Sequence, residues 1–389
     1  MSADNKHDFK TREVHAGVSP DPVTGAILTP IYQSTTYVQE SVDQYLEKGF
    51  SYSRSGNPTV TALEARITAL EGGAGSLCFA TGMAATSCTI VALVNAGDHV
   101  ILSDVVYGGT HRVTTKVLNR WGLECSFVDT SNPQNVKDAI RDNTKLIFTE
   151  TPANPTLKLT DIAAVSEIAQ AAGIPHVVDN TFLTPYYQRP LELGADISLH
   201  STTKFMEGHN VSVGGSITAK NAEHIEQIMF VRNCLGSNMS PMVAFYTLQG
   251  CKTMSTRLEA QSANALKVAE FLETHNMVER VAYPGLDSFP QKTLADAQAS
   301  GHGSMLWFEV KGGVASGKQL MDTLELWSLA ENLGSVESLV THSVTMTHAD
   351  MPVKERLVAG ITDGLVRLSA GLESADDLIT DLKQALDRL

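Results

Sequence analysis

From about residue 58 onward the apolar positions of the chain fall into alternating helix-like and strand-like groups. The stretch NPTVTALEARITALEGG opens on Asn57-Pro58, a capping residue followed by a first-turn proline. Val60, Leu63, Ile67 and Leu70 then recur at helical spacing until Gly72-Gly73 ends the run. Short apolar runs bounded by turn residues follow: SLCFA, HVILSD, KLIFTE, HVVDN, DISLH and GSITA, separated by helical segments such as LTDIAAVSEIAQAAG. Continuous apolar runs, unlike alternating ones, belong to strands covered on both faces. The pattern therefore predicts a three-layer α/β/α unit built around a mostly parallel sheet.

The pattern changes after about residue 250. A long helical stretch, TMSTRLEAQSANALKVAEFLETH, leads into strand-like SMLWFEV and GLVRLSAG, and Leu378, Leu382 and Leu386 mark one face of a closing amphipathic helix. A smaller α+β domain is expected here. The first 55 residues show no periodicity and are rich in turn, aromatic and hydroxyl residues, as in an arm laid across a neighbouring subunit or in a flexible tail. The expected division is an arm over 1–55, a large domain over 56–250 and a small domain over 251–389.

Composition narrows the function classes. With 29 Lys and Arg against 43 Asp and Glu, a net charge of −14 and no basic run, the chain lacks the electrostatic footprint of a nucleic-acid binder. The polar opening MSADNKHDFKTREVHAG has no hydrophobic region of the kind a signal peptide needs, and no apolar stretch is long enough to span a membrane. The five cysteines (Cys78, Cys88, Cys125, Cys234 and Cys251) show no CxxC spacing, which argues against a disulfide framework or structural zinc and for a cytoplasmic home. All five stand in apolar contexts and are expected to be buried filler. No metal site is expected.

Candidate chemistry gathers where strands end, which is where α/β sheets bind ligands. HVVDN ends in Asp179-Asn180, DISLH runs into Ser201, Thr203 and Lys204, and KLIFTE leads to Asn154. CFATGMAAT turns from strand to helix at Gly82-Met83, and a helix N-terminus offers free N–H groups and a positive dipole end to a phosphate. Singly, each has an ordinary reading. Gly-Met suits any tight turn, Asp179 could cap a loop, and a lysine among hydroxyls is usually solvated. Together they are the parts that pyridoxal 5'-phosphate (PLP) asks of a protein: an amine to form an imine, an acid to keep the pyridinium nitrogen protonated, and donors for the phosphate.

Eight segments in order carry a resemblance: YSRSGNPT (52–59), ATGMAAT (80–86), VYGGTHR (106–112), ETPANPT (150–156), VVDNTF (177–182), STTKFMEGH (201–209), LAENLGSVESL (329–339) and RLSAGLE (367–373). The chain resembles, over nearly its whole length, the PLP-dependent enzymes of cysteine and methionine metabolism, the transsulfuration group of cystathionine γ-synthases and γ-lyases. That resemblance implies the aspartate aminotransferase-like fold type I and PLP as cofactor. It implies Lys204 as the Schiff-base lysine and proton carrier, and Asp179 as partner of the ring nitrogen. Ser201, Thr203 and the backbone of Gly82 and Met83 become the phosphate site, and Tyr107 the tyrosine that stacks on the ring and assists proton transfer. Tyr52 and Arg54 are implied to reach the phosphate of the adjacent subunit, in a homotetramer assembled from dimers with shared active sites. Arg367 is implied to bind the substrate α-carboxylate with Asn154, itself also a cofactor contact, and Arg112 and Glu331 to stand near the substrate's distal end.

A glutamate at the Glu331 position accompanies chemistry at the γ carbon of cystathionine or homoserine esters in this family. It puts the cystathionine γ-lyase reaction first and the γ-synthase reaction close behind, with cysteine among the small amino acids handled. The alternatives are a β-lyase, an O-acylhomoserine sulfhydrylase or a methionine γ-lyase, the last opposed by Gly108 where such enzymes tend to carry Cys. Three positions depart from the family pattern: Ser51 where an acidic residue is frequent, Asn332 where Ser is frequent, and Asn210 where Asp is frequent. Ser51 weakens the expectation that a distal amino group is bound by charge and favours a neutral distal group such as an acyl ester. A non-catalytic binding protein on this fold is the rival outside enzymes, and the intact Lys204, Asp179, Tyr107 and Arg367 oppose it.

Overall fold

The computed structural model describes residues 6–347, 349 and 353–389; residues 1–5 of the expected arm, and 348 and 350–352, lie outside the described residues. Among the described residues twelve strands form two sheets. The first sheet comprises β1 (Gly75–Phe79), β2 (His99–Ser103), β3 (Glu124–Val128), β4 (Thr144–Glu150), β5 (His176–Asp179), β6 (Ile197–His200) and β7 (Gly215–Ala219), in the spatial order β1-β7-β6-β5-β4-β2-β3. It is parallel except for β7, which runs antiparallel to both its neighbours.

Both faces of this sheet are covered, as the continuous apolar runs require. Leu77 and Phe79 of β1 enter one core with the helix Gly82–Leu93, while Cys78 between them enters another with Leu63 and Ile67 of the helix Pro58–Glu71. The latter helix starts as the sequence predicts. The Asn57 side chain accepts from the N–H groups of Thr59 and Val60, and Gly72 closes the helix in the left-handed conformation at φ 77°. Strand β3, which the apolar runs do not reveal, is an edge strand that begins with an exposed Glu124.

The second sheet comprises β8 (Val278–Ala282), β9 (Met305–Val310), β10 (Ser328–Leu329), β11 (Leu339–His342) and β12 (Leu365–Ser369), ordered β10-β11-β12-β9-β8. The helices Met254–Thr274 and Ala375–Leu386 bury Val268, Leu272, Leu378 and Leu382 against it. The long helix joins the two cores: its first turns place Met254 and Leu258 in the core around Ile67, and its later turns place Ala265 onward in the second. Trp307 of β9 adds a direct link, donating its indole N–H to Thr156 O at 2.8 Å.

One expectation needs revision in detail. Cys78, Cys88 and Cys251 are buried, but Cys125 is half-buried and Cys234 exposed. Cys234 lies on the helix Ala222–Leu235, whose outer face also shows Phe230, and an apolar neighbourhood in sequence does not decide which way a helical residue points. The N-terminal arm is ordered locally but exposes its apolar side chains, with Val23, Val38 and Val42 each at least 90% accessible.

Candidate active site

The loops following β1, β4, β5 and β6 converge with loops of the second sheet on a cavity of about 530 Å³. After β1, Thr81 caps the helix Gly82–Leu93, its hydroxyl accepting from Ala84 N at 2.8 Å. The N–H groups of Gly82 and Met83 form no hydrogen bond among the described residues, and both residues line the cavity. A Cβ on Gly82 would lie 2.9 Å from Ser201 Cβ, so only glycine lets the helix start and the loop after β6 meet so closely. Ser201 Oγ makes no hydrogen bond among the described residues. Thr203 Oγ1 donates to Gly214 O at 3.1 Å and accepts from Gly214 N at 3.0 Å, so its single proton must turn from Gly214 to serve an anion. Unpaired N–H groups at a helix start, beside a free hydroxyl in a cradle that a Cβ would fill, fit a phosphate.

The strand ends β4 and β5 bring two carboxyl groups side by side, buried Glu150 paired in register with half-buried Asp179. Burial pushes both upward, Glu150 to about 8, with the neighbouring Asp179 adding to the shift. Their hydrogen bonds tell them apart. Both oxygens of Glu150 are occupied, Oε2 by Tyr107 N at 2.7 Å and Oε1 by Asn154 N at 2.9 Å. Asp179 uses Oδ1 alone, accepting from Thr181 N at 3.1 Å and Thr181 Oγ1 at 2.6 Å, so its Oδ2 remains open to a donor in the cavity. A pyridinium N–H fits that oxygen, and its positive charge would counter the burial and hold Asp179 ionised.

On the opposite wall Lys204 donates its amine to Asn332 Oδ1. Burial, aided by Arg367, lowers the amine to about 8. Arg367, on β12 and only 4% exposed, donates to Asn154 Oδ1 at 2.9 Å, Thr341 Oγ1 at 3.0 Å and Asn332 O at 3.1 Å. These partners are all neutral, so the guanidinium is held in place by acceptors without being neutralised by a carboxylate. Burial depresses it to about 10, opposed by Glu331 and Tyr107. A carboxylate would fit beside such a guanidinium as its counter-charge. Tyr107, Arg112 and Glu331 also line the cavity, and the Arg112 guanidinium lies against Gly108.

Eleven of the residues singled out in the sequence thus share one cavity: Gly82, Met83, Tyr107, Arg112, Asn154, Asp179, Ser201, Thr203, Lys204, Glu331 and Arg367. Tyr52 and Arg54 do not line it. Arg54 lies over the Tyr52 ring, 5.6 Å from its centroid, and donates to Asn233 O at 2.7 Å and Asn233 Oδ1 at 2.9 Å. The sequence reading missed Glu150 and Thr181. Glu150 stands inside the quoted ETPANPT, at the end of a strand that already pointed to Asn154, and Thr181 two residues after Asp179, the spacing of a local side-chain turn. Among the described residues no cluster of His, Cys, Asp or Glu is arranged to hold a metal ion, and no helix is long and apolar enough to cross a membrane.

Comparison with known proteins gives concordant matches. A family model described as Cys/Met metabolism PLP-dependent enzyme matches residues 10–387. A cystathionine gamma-lyase of Bacillus subtilis (strain 168) is 47% identical over 380 residues, 98% of this chain and 99% of its own length. A cystathionine beta-lyase of Lactococcus lactis subsp. cremoris (strain MG1363) is 46% identical over 380 residues, with the same coverage of 98% and 99%. The crystal structure of cystathionine gamma synthase from Xanthomonas oryzae pv. oryzae, in complex with aminoacrylate and cysteine, superposes with a TM-score of 0.95 at 41% identity, covering 98% of each chain.

Proposed function

Because the chain belongs to the PLP-dependent enzymes of cysteine and methionine metabolism and shares their fold type I, we propose that it cleaves cystathionine at the γ carbon. It is a PLP-dependent enzyme of the carbon–sulfur lyase group. Relatives with different reaction names are almost equally similar to it, so identity alone does not choose among them.

The observation that carries the choice is the charge layout of the cavity wall: Arg367 for one carboxylate, with Glu331 and Arg112 as a further pair of opposite sign. Cystathionine is zwitterionic at both ends. Its near carboxylate suits Arg367 and Asn154, and its distal ammonium and carboxylate suit Glu331 and Arg112. Methionine has no distal charge, and an acylated homoserine offers no distal ammonium. Glu331 supplies the acidic partner whose absence at Ser51 the sequence reading had counted against such binding.

The residues act in a definite order. Arg367 fixes the α-carboxylate, which sets Cα in front of Lys204. Lys204, close enough to neutrality in its buried position to be partly unprotonated, takes the proton from Cα and returns one elsewhere on the chain of the substrate. Tyr107 stands where it can assist proton movement at the amine. Asp179 would hold the ring nitrogen of the cofactor, and Gly82, Met83, Ser201 and Thr203 would hold its phosphate. Pyridoxal phosphate, when bound, supplies a carbonyl for amines to join and a sink for the electrons left at Cα and Cβ. Overall, cystathionine plus water becomes cysteine, 2-oxobutanoate and ammonia. The second reading is the synthase reaction, in which the thiol of cysteine adds at Cγ of an acylated homoserine and the acyl group leaves as its carboxylic acid, giving cystathionine; the likeness to a cystathionine γ-synthase structure favours it.

We extend the proposal to assembly: a homotetramer with Tyr52 and Arg54 serving the neighbour's phosphate, an arm over 1–55, a large domain over 56–250 and a small one over 251–389. A cytoplasmic location fits this reading. The test is to incubate the PLP-loaded protein with L-cystathionine and identify the products by mass spectrometry. Cysteine with 2-oxobutanoate is expected; homocysteine with pyruvate would place the break at Cβ and overturn the use of Glu331.

A further inference from the structure

Two of the positions at which the sequence departs from its family pattern, Asn210 and Asn332, are joined in the structure. Asn332 Nδ2 donates to Asn210 Oδ1 at 2.5 Å, and Asn210 Nδ2 donates to Glu337 Oε2 at 2.9 Å. The other end of Asn332, Oδ1, accepts from the amine of Lys204. An amide side chain carries a donor at one end and an acceptor at the other, so either end of Asn332 could face the lysine. A carboxylate only accepts. Glu337 therefore dictates that Asn210 turns its NH₂ outward, Asn210 then offers oxygen to Asn332, and Asn332 is left with oxygen toward the amine.

We propose that Glu337, Asn210 and Asn332 form a polarity relay that presents a pure acceptor to Lys204, making Asn332 a positioning residue for the base. This rests on the reading of Lys204 as the residue that joins the cofactor and moves protons. An acceptor grips the amine by one of its N–H bonds and leaves the nitrogen lone pair free to attack carbon or take a proton. A hydroxyl at the same place can donate into that lone pair and compete with both tasks. The relay also couples the base to the substrate grip, since Asn332 O accepts from Arg367 Nη2 at 3.1 Å. The backbone supports the arrangement. Asn210 sits in the left-handed region at φ 56°, which asparagine tolerates better than most residues, and Val336 N donates to Gly208 O at 2.9 Å, tying the two loops together.

The test reads Lys204 directly. The full chain, stripped of cofactor, is resupplied with pyridoxal phosphate, and the visible absorbance of covalent attachment is followed from about pH 6 to about pH 10. Attachment needs the unprotonated amine, so the pH midpoint of its rate reports Lys204. The titratable and charged groups that line the cavity with that amine are Arg367, Tyr107, Asp179, Glu150, Glu331 and Arg112, whereas Glu337 is outside the lining. The wild-type midpoint is expected near 8. Asn332→Asp, which places a negative charge against the amine, should raise it by about one unit or more. Glu337→Gln, which frees Asn210 and hence Asn332 to turn round, should lower it and slow attachment several-fold. Asn210→Asp keeps an acceptor toward Asn332 and should not lower the midpoint, whereas Asn210→Leu should. Thermal melts establish that each variant is folded. Folded Glu337→Gln and Asn210→Leu chains with the wild-type midpoint and rate would overturn the relay. Attachment that persists in Lys204→Ala would instead overturn the reading of Lys204, a separate and distinguishable failure.

Discussion

A buried amine is an expensive thing to keep, and Lys204 shows where the cost falls. Its folded pKa of about 8 lies below the ordinary value of 10.5, because burial and Arg367 both disfavour the charged form. Between those values the unfolded chain binds more protons than the folded one, so stability should rise with pH from about 8 to about 10.5. Below pH 8 the penalty is present in full, on the order of 3 kcal/mol by linkage. Lys204→Met removes it, less about 1 kcal/mol for the Asn332 acceptor left without its donor. Urea unfolding of the cofactor-free chain should therefore show Lys204→Met more stable than wild type at pH 7, with the gap closing by pH 10. Equal stability at pH 7 would mean that the native site does not strain its lysine. Arg367 presents the same economy of charge: three neutral acceptors hold it without neutralising it, and a substrate carboxylate would complete the set.

At the scale of elements, the pairing of β4 with β5 puts Glu150 beside Asp179, and their different hydrogen bonds divide their tasks. Glu150 ties the backbone of Tyr107 to that of Asn154, joining the loop after β2 to the loop after β4. Glu150→Gln substitutes one donor for an acceptor, so one of those two N–H groups must lose its partner. We expect kcat/KM to fall about tenfold, corresponding to one lost hydrogen bond of about 1–2 kcal/mol, with cofactor retained because Asp179 keeps its open oxygen. Loss of cofactor in that variant would show that Glu150 holds the ring itself.

Much of this level was legible in the sequence. Continuous apolar runs gave six strands of the first sheet, and Asn57-Pro58 and Gly72 bounded a helix correctly, because capping and burial are local consequences of residue type. The antiparallel sense of β7 was not legible, since GSITA is buried at every position whichever way it runs. Strand β3 escaped because an edge strand need not be apolar. Among site residues, Lys204, Asp179 and Asn154 announced themselves at strand ends, but the contact of Asn210 with Asn332 joins positions far apart in the chain and only the fold brings them together.

For the whole molecule, the isolated chain leaves two facts that belong together. Tyr52 and Arg54 stand outside the cavity of their own chain, and the arm that carries them exposes Val23, Val38 and Val42 almost completely. Apolar side chains so exposed are what a second copy of the chain would cover. If the neighbour's phosphate is their destination, then Arg54→Ala and Lys204→Ala chains, each inactive alone, should complement on mixing. Random hybrids would restore one intact site in half of the dimers, about a quarter of wild-type activity. Size-exclusion chromatography with activity assays checks this, and a mixture that forms hybrids yet stays inactive would place Arg54 in its own chain's site.

The reversed strand β7 has a wider consequence. It begins at Gly215, directly under the place where the loops after β1 and β6 meet, and a Cβ on Gly215 would lie 2.3 Å from Thr81 O and 2.8 Å from Gly82 Cα. Where the two loops meet, the cradle that fits a phosphate thus rests on a floor with no side chain at that point. Such a floor has no rotamers to shift and nothing that substitution elsewhere can loosen. Elsewhere the cavity is lined by the side chains of Glu331 and Arg367, carried by the second sheet and its loops, with Asn332 beside them reaching Lys204. One side of the site is masonry and the other is furniture. A lineage can rearrange the furniture to change which sulfur compound it cleaves or joins, while the cofactor stays where the backbone put it.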